Sequence, residues 1–168
     1  MAKGKIKADN VGVRGFYRVQ IEEPFGKGNG KIVGDSGWCE NQITNIGKQD
    51  FLCANLAGTT GSKRVLGINI GSGTVPGAAA TTLDGEISTA KRLGGADMTV
   101  SIDTSSAVSF LATFYSSRTF LASSSSLRNI GLFDCTGATG SLFAGSTYAV
   151  STCDTNQNVN VTYRIQFS

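Results

Sequence analysis

Asn158-Val-Asn-Val-Thr-Tyr-Arg-Ile-Gln-Phe167 decides the fold class. Val159, Val161, Tyr163, Ile165 and Phe167 project to one side of an extended chain, and Asn160, Thr162, Arg164 and Gln166 to the other. That period of two describes a strand with one face on a core and one toward water. Val13-Arg-Gly-Phe-Tyr-Arg-Val-Gln-Ile-Glu22 repeats the pattern, with Tyr17, Val19 and Ile21 sharing a side. The turn formers of Pro24–Gly30 then let Lys31-Ile-Val-Gly34 fold back as a hairpin.

Further strands are expected at 65–70, 87–93, 98–102, 107–115, 127–133 and 141–144, each bounded by Gly, Ser, Thr or Asn. Residues 107–115 are apolar on both faces, the pattern of a central, buried strand. The one helix expected spans about residues 47–57, with Asn45 as cap and Gly58 as the glycine that ends it. The spacing of turns gives an all-β protein, a single antiparallel β-sandwich of jelly-roll or immunoglobulin-like kind over residues 13–168. The expected core contains Phe110, Phe114, Leu132, Tyr163, Ile165 and Phe167. In Ile130–Phe133, Ile130 and Leu132 are expected inward, with Phe133 against a neighbouring subunit or an opposite sheet.

The chain has 168 residues, one domain's length, and can bury roughly 70% of its unfolded surface. Charged residues make up only 16%, below the usual quarter, and Gly, Ser, Thr and Asn fill the deficit. The net charge of +3 is uneven. Residues 1–31 hold seven Lys and Arg against three acids, a net of +4; the remainder is close to neutral. Residues 1–12 therefore read as a basic arm. Lys3, Lys5, Lys7 and Arg14, together with Phe133, are the candidate assembly interface, and a solvated tail is the competing reading of the arm. Nucleic acid is not an expected partner, because no stacking aromatics interleave those lysines.

Catalysis is not expected. There is no histidine, and no serine or cysteine has an evident orienting base. Gly58-Thr-Thr-Gly-Ser-Lys63 has the wrong spacing for a phosphate loop, and Gly71-Ser-Gly73 lacks the third glycine of a dinucleotide fingerprint. No cofactor or metal site is nominated, since Cys39, Cys53, Cys135 and Cys153 are widely separated. No secretory leader or membrane-length apolar run is evident, so a membrane is not an expected partner.

Several short pieces occur in a recognisable order. They are Gly34-Asp-Ser-Gly-Trp38, Glu40–Gly47, Ile68-Asn-Ile-Gly-Ser-Gly-Thr-Val-Pro76, Leu83-Asp-Gly-Glu86, Ile130-Gly-Leu-Phe-Asp134, Leu142–Tyr148 and Asn156–Tyr163. In that order the chain resembles a family of tailed-bacteriophage virion structural proteins, variously head-decoration (cement) or tail-fibre-like. The resemblance implies no catalytic residues. It implies a virion location after assembly in the host cytoplasm. The implied partners are the major capsid protein or another virion protein, with homo-oligomers such as trimers. The alternative it leaves open is a receptor- or glycan-binding module on a tail fibre, baseplate or head surface.

A protein made in a reducing compartment keeps its thiols. Alkylation of the unfolded protein without reductant should add four labels by intact mass; fewer would reveal a disulfide.

Overall fold

The computed structural model describes residues 12–24, 30–58, 63–87 and 91–167. Nine strands make one antiparallel sheet: β1 (Val13–Glu22), β2 (Ile32–Asp35), β3 (Cys39–Ile43), β4 (Gly67–Gly71), β5 (Met98–Thr104), β6 (Ala107–Phe114), β7 (Ser125–Phe133), β8 (Leu142–Cys153) and β9 (Asn158–Phe167). The spatial order is β4-β7-β8-β3-β1-β9-β6-β5, with β2 paired to β1 beside that path. The antiparallel all-β expectation holds. The strands form one continuous sheet curled into a half-barrel, and the finer expectation of a jelly-roll or immunoglobulin-like sandwich is not confirmed.

β3 is where the curl is made. Its first half pairs with β1, Cys39 to Tyr17 through Asn41 to Gly15, and its last two residues pair instead with β8. A five-residue strand thus joins two broad ladders. The first is built on β1 and β9, which run opposite each other from Val13–Phe167 to Glu22–Asn158. Its inward residues are Tyr17, Val19 and Ile21 on β1 and Val159, Val161, Tyr163 and Ile165 on β9, as their alternation requires. β6 extends this face with Phe110, Ala112 and Phe114. From the other ladder Ile68 and Ile70 of β4, Leu127, Ile130 and Leu132 of β7, and Phe143 and Tyr148 of β8 join the same core. Tyr17 sits between the halves, its ring 6.0 Å from that of Tyr163 and 6.1 Å from that of Tyr148, and its hydroxyl donates to the Thr147 carbonyl.

In β7 the register shifts between Leu127 and Asn129. This bulge changes parity, so that Leu127, Ile130 and Leu132 can all face inward.

The helix differs in detail from expectation. Gly47–Cys53 is π-helical and runs into one α-helical turn, Ala54–Leu56. Thr44, not Asn45, meets the first free amide: its Oγ1 accepts from Gly47 N at 2.9 Å. Gly58 does end the helix, with a φ of +63°. Phe51 anchors the helix by packing on Phe143, ring centroids 5.0 Å apart.

Three other expectations are corrected. Phe167 is exposed, because the last inward position of β9 lies at the rim of the sheet. β6 is not central; it is second from an edge, and Leu111 and neighbouring Tyr115 face solvent. Between residues 86 and 93 there is no described strand; Glu86 and Leu93 make single bridges to Gly71 and Ile68, and residues 88–90 lie outside the described residues. All four cysteines are unpaired, and burial pushes the Cys153 thiol up to about 12.

Gly47 is required by the approach of helix to β8, since a Cβ there would meet the Phe143 carbonyl oxygen at 2.2 Å. Alanine improves helix propensity by up to about 1 kcal/mol. A backbone clash of this kind costs about 1–3 kcal/mol. Gly47→Ala should therefore lower the melting temperature by several degrees. Gly77→Ala, where a Cβ meets nothing within 4 Å, should leave it within error.

Candidate functional site

Four of the pieces that carry the resemblance, Ile68–Pro76, Leu83–Glu86, Ile130–Asp134 and Leu142–Tyr148, meet around β7, whereas Gly34–Trp38 and Asn156–Tyr163 lie on the other half of the sheet. The loop from Gly71 to Ile87 lies over the outer face of β7 and β8, the face opposite the core. Gly145 of β8 is small enough for Pro76 to settle on it; a Cβ there would be 2.8 Å from the proline ring. Leu83 packs with Phe133 and Leu142 in a small second core. Asn129, on β7, donates through Nδ2 to the carbonyls of Thr74 at 3.1 Å and Asp84 at 2.7 Å, pinning both ends of the loop.

The glycines of Gly71-Ser-Gly73 serve close approach. A Cβ on Gly73 would lie 2.3 Å from the Asp84 carbonyl oxygen, and one on Gly71 2.4 Å from Asn129 Oδ1. Positive φ belongs to their counterpart Gly85, at +59°, whose carbonyl accepts from Ser72 N at 3.0 Å. Asp84 accepts from the amide and hydroxyl of Thr74 at 2.8 and 2.9 Å, and these bonds hold its pKa below the usual carboxylate range.

The strongest electrostatic feature is Glu86 with Arg92. Arg92 Nε donates to Glu86 Oε1 at 2.7 Å and Nη2 to Oε2 at 2.9 Å, a bidentate pair. Arg92 Nη1 donates to the Gly137 carbonyl at 2.6 Å, and the guanidinium lies 3.7 Å above the Phe133 ring. Asn69 Nδ2 adds a bond to Glu86 Oε1 at 2.9 Å. Burial pushes the Glu86 pKa up, but the bonds from Arg92 and Asn69 and the Arg92 charge outweigh it, and the net direction is down. A carboxylate held ionised and fully engaged is a strut, not a base poised near neutral pH. Beside it opens a cavity of about 470 Å³ lined by Asn69, Glu86, Lys91, Arg92 and Thr136–Ala138.

On the other half of the molecule, the outer face of β9 and β6 carries a shallow polar groove of about 580 Å³. Gln20, Thr113, Tyr115, Arg118, Asn160 and Thr162 line it. Arg118 stands 5.9 Å from the Tyr115 ring centroid and pairs with Asp97 at 2.7 Å.

Of the interface residues expected from sequence, Lys3, Lys5 and Lys7 lie outside the described residues. Arg14 is exposed near the start of β1, opposite Gln166. Phe133 is wholly buried under Arg92 and Leu83, so it has no surface to offer a neighbour. Its partner is the chain's own loop, and Arg14 and Phe133 do not share a site. The Glu86–Arg92 pair was not legible, because two residues six apart in a loop carry no periodic signal. Among the described residues no cluster of potential metal ligands occurs, and no helix is long and apolar enough to cross a membrane. No family model, curated protein or solved structure matches the chain.

Removing one partner of a buried pair leaves the other charge uncompensated, at a cost of about 3–5 kcal/mol. Arg92→Met should show that loss in denaturant melts. The double variant Glu86→Gln/Arg92→Met should recover part of it. Because the folded pKa of Glu86 is lowered, its contribution is complete above the unfolded value near 4.3 and fades as pH falls through the folded value. Glu86→Gln should accordingly flatten the acid limb of the stability profile.

Proposed function

We propose that the protein is a non-enzymatic structural subunit of a tailed-bacteriophage particle, a capsid decoration (cement) protein that binds and stabilises the coat-protein shell. One observation carries this reading: residues of four of the phage-like pieces, together with Asn129 and Arg92, are used up in holding one loop against the sheet. Gly71, Gly73, Asp84, Glu86, Asn129 and Phe133 hold a loop on a sheet, and their polar groups are directed at each other. Residues engaged in this way favour a rigid building block over a reactive site. The low charge points the same way, toward surfaces that are covered by neighbours.

A second reading rests on the groove of Tyr115, Arg118 and Asn160. An exposed aromatic beside amide, hydroxyl and guanidinium groups suits the apolar face and hydroxyls of a sugar ring. This is the form a receptor- or glycan-binding module on a tail fibre would take.

Mass spectrometry of purified particles encoding this chain separates the two. Decoration requires a copy number of the order of the coat protein, and particles lacking the chain should lose heat resistance. A few copies per particle, with glycan-array binding lost in Tyr115→Ala, would favour the fibre reading. Absence from particles would remove both.

A further inference from the structure

The two edges of the sheet are treated differently. At β4 the edge is closed, because Leu93 and Glu86 bridge back to Ile68 and Gly71. At the other end β5 pairs with β6 alone among the described residues. Met98, Val100 and Ile102 stand opposite Ala112, Phe110 and Val108, so they belong to the face that carries the core. Along that row exposure climbs from 8% at Met98 to 52% at Val100 and 83% at Ile102. The core face therefore runs out to an open edge. Isolated exposed apolar residues are ordinary. A pair of them on an unpaired edge strand without Lys, Arg or Pro is a template for another strand.

We propose that β5 is the docking edge for a second copy of this chain, paired antiparallel to its own symmetry mate about a two-fold axis. Three features of the strand select that occupant. An antiparallel pair about a two-fold is self-complementary, so the same edge supplies both sides. Over the stretch Asp97–Asp103 one register suits the side chains. An axis at Ser101 sets Val100 of each copy against Ile102 of the other and leaves Asp103 facing Thr99. An axis at Val100 would instead oppose Asp97 and Asp103 twice, a destabilising like-charge contact. Finally, the edge's two acids are already engaged within the chain. Asp97 pairs with Arg118 at 2.7 Å, and Asp103 with Arg164 at 3.7 Å and with Ser109. A strand without Lys or Arg, as β5 is, fits there better than a basic one.

Sedimentation equilibrium over a concentration series should show a monomer–dimer equilibrium. Ile102→Lys, at a side chain already in solvent, should keep the circular dichroism spectrum and melting temperature while weakening the dimer by about tenfold or more. Ser101→Cys brings two thiols together on the axis, within the Cα separation of about 4.4–6.8 Å that a disulfide spans. Mild oxidation should then give a covalent dimer on a non-reducing gel beyond any seen with the native cysteines, and Thr104→Cys should not. A monomer at every concentration overturns the proposal. So does a dimer unaffected by Ile102→Lys and uncrosslinked by Ser101→Cys. A dimer that dissociates only when residues 1–11 are deleted assigns the contact to the amino-terminal arm, and the proposal fails.

Discussion

Arg92 has 2% of its side chain exposed, and a guanidinium so placed persists only if every face of it is met. Glu86 takes two of its donors, the Gly137 carbonyl a third, and the Phe133 ring its flat face. Each of these contacts comes from a different segment: the end of the loop over β7, the turn after β7, and β7 itself. Closing the pair therefore fixes the loop's end beside Gly71 and holds the turn at 135–137 near β4. Only with the loop in place does the outer face of β7 become interior. Phe133 and Asn129, which would otherwise face water on alternate positions, are then buried. The price of burying one ion pair is thus offset by a second small core around Leu83, Phe133 and Leu142.

This covering divides the half-barrel into unlike parts. The β4-β7-β8 side has apolar packing on both faces and a closed edge. The β1-β9-β6-β5 side has one face on the core and one in water, where Arg18, Gln20, Thr162 and Asn160 stand in the open alternation of an antiparallel sheet. Between them β3 carries only five residues, and the close contact of Gly15 with the Asn41 side chain leaves no room for a Cβ at that crossing. The curl therefore sits at a narrow strand whose Asn41 side chain packs over Gly15 of β1 and reaches on to the Tyr163 hydroxyl of β9.

The legibility of the sequence follows the same division. β1 and β9 could be read because each has one wet face, which imprints a period of two. β5, β6 and β7 were also placed to within two residues at their ends. β3 was missed: Cys39-Glu-Asn-Gln-Ile43 has a single strongly apolar residue and no β-branched run, because its role is to pass between two ladders. Most of β8 was missed beyond Ala144 for a related reason. Gly145, Ser146 and Thr147 are small where Pro76 and Glu40 approach, and packing with neighbours, not propensity, makes them a strand. Phe133 was read correctly as facing away from Leu132. Its partner was expected on a neighbouring subunit or an opposite sheet, because nothing local announces that a loop fifty residues earlier returns to cover it.

The scarcity of charge acquires a physical meaning in this arrangement. Among the described residues, Arg18 pairs with Asp35, Lys63 with Asp50 and Asp134, Arg92 with Glu86, Arg118 with Asp97, and Arg164 with Asp103. About half of the described charges are bound in pairs that join one segment to another, for example Lys63 bridging Asp50 of the helix to Asp134 in the turn before β8. Exposed pairs of this kind add little stability, but they neutralise each other and leave the outer faces polar without a strong field. A molecule so constituted relies on Ser, Thr and amide groups for solubility and does not repel its own copies. Close association with other subunits then carries a small electrostatic cost.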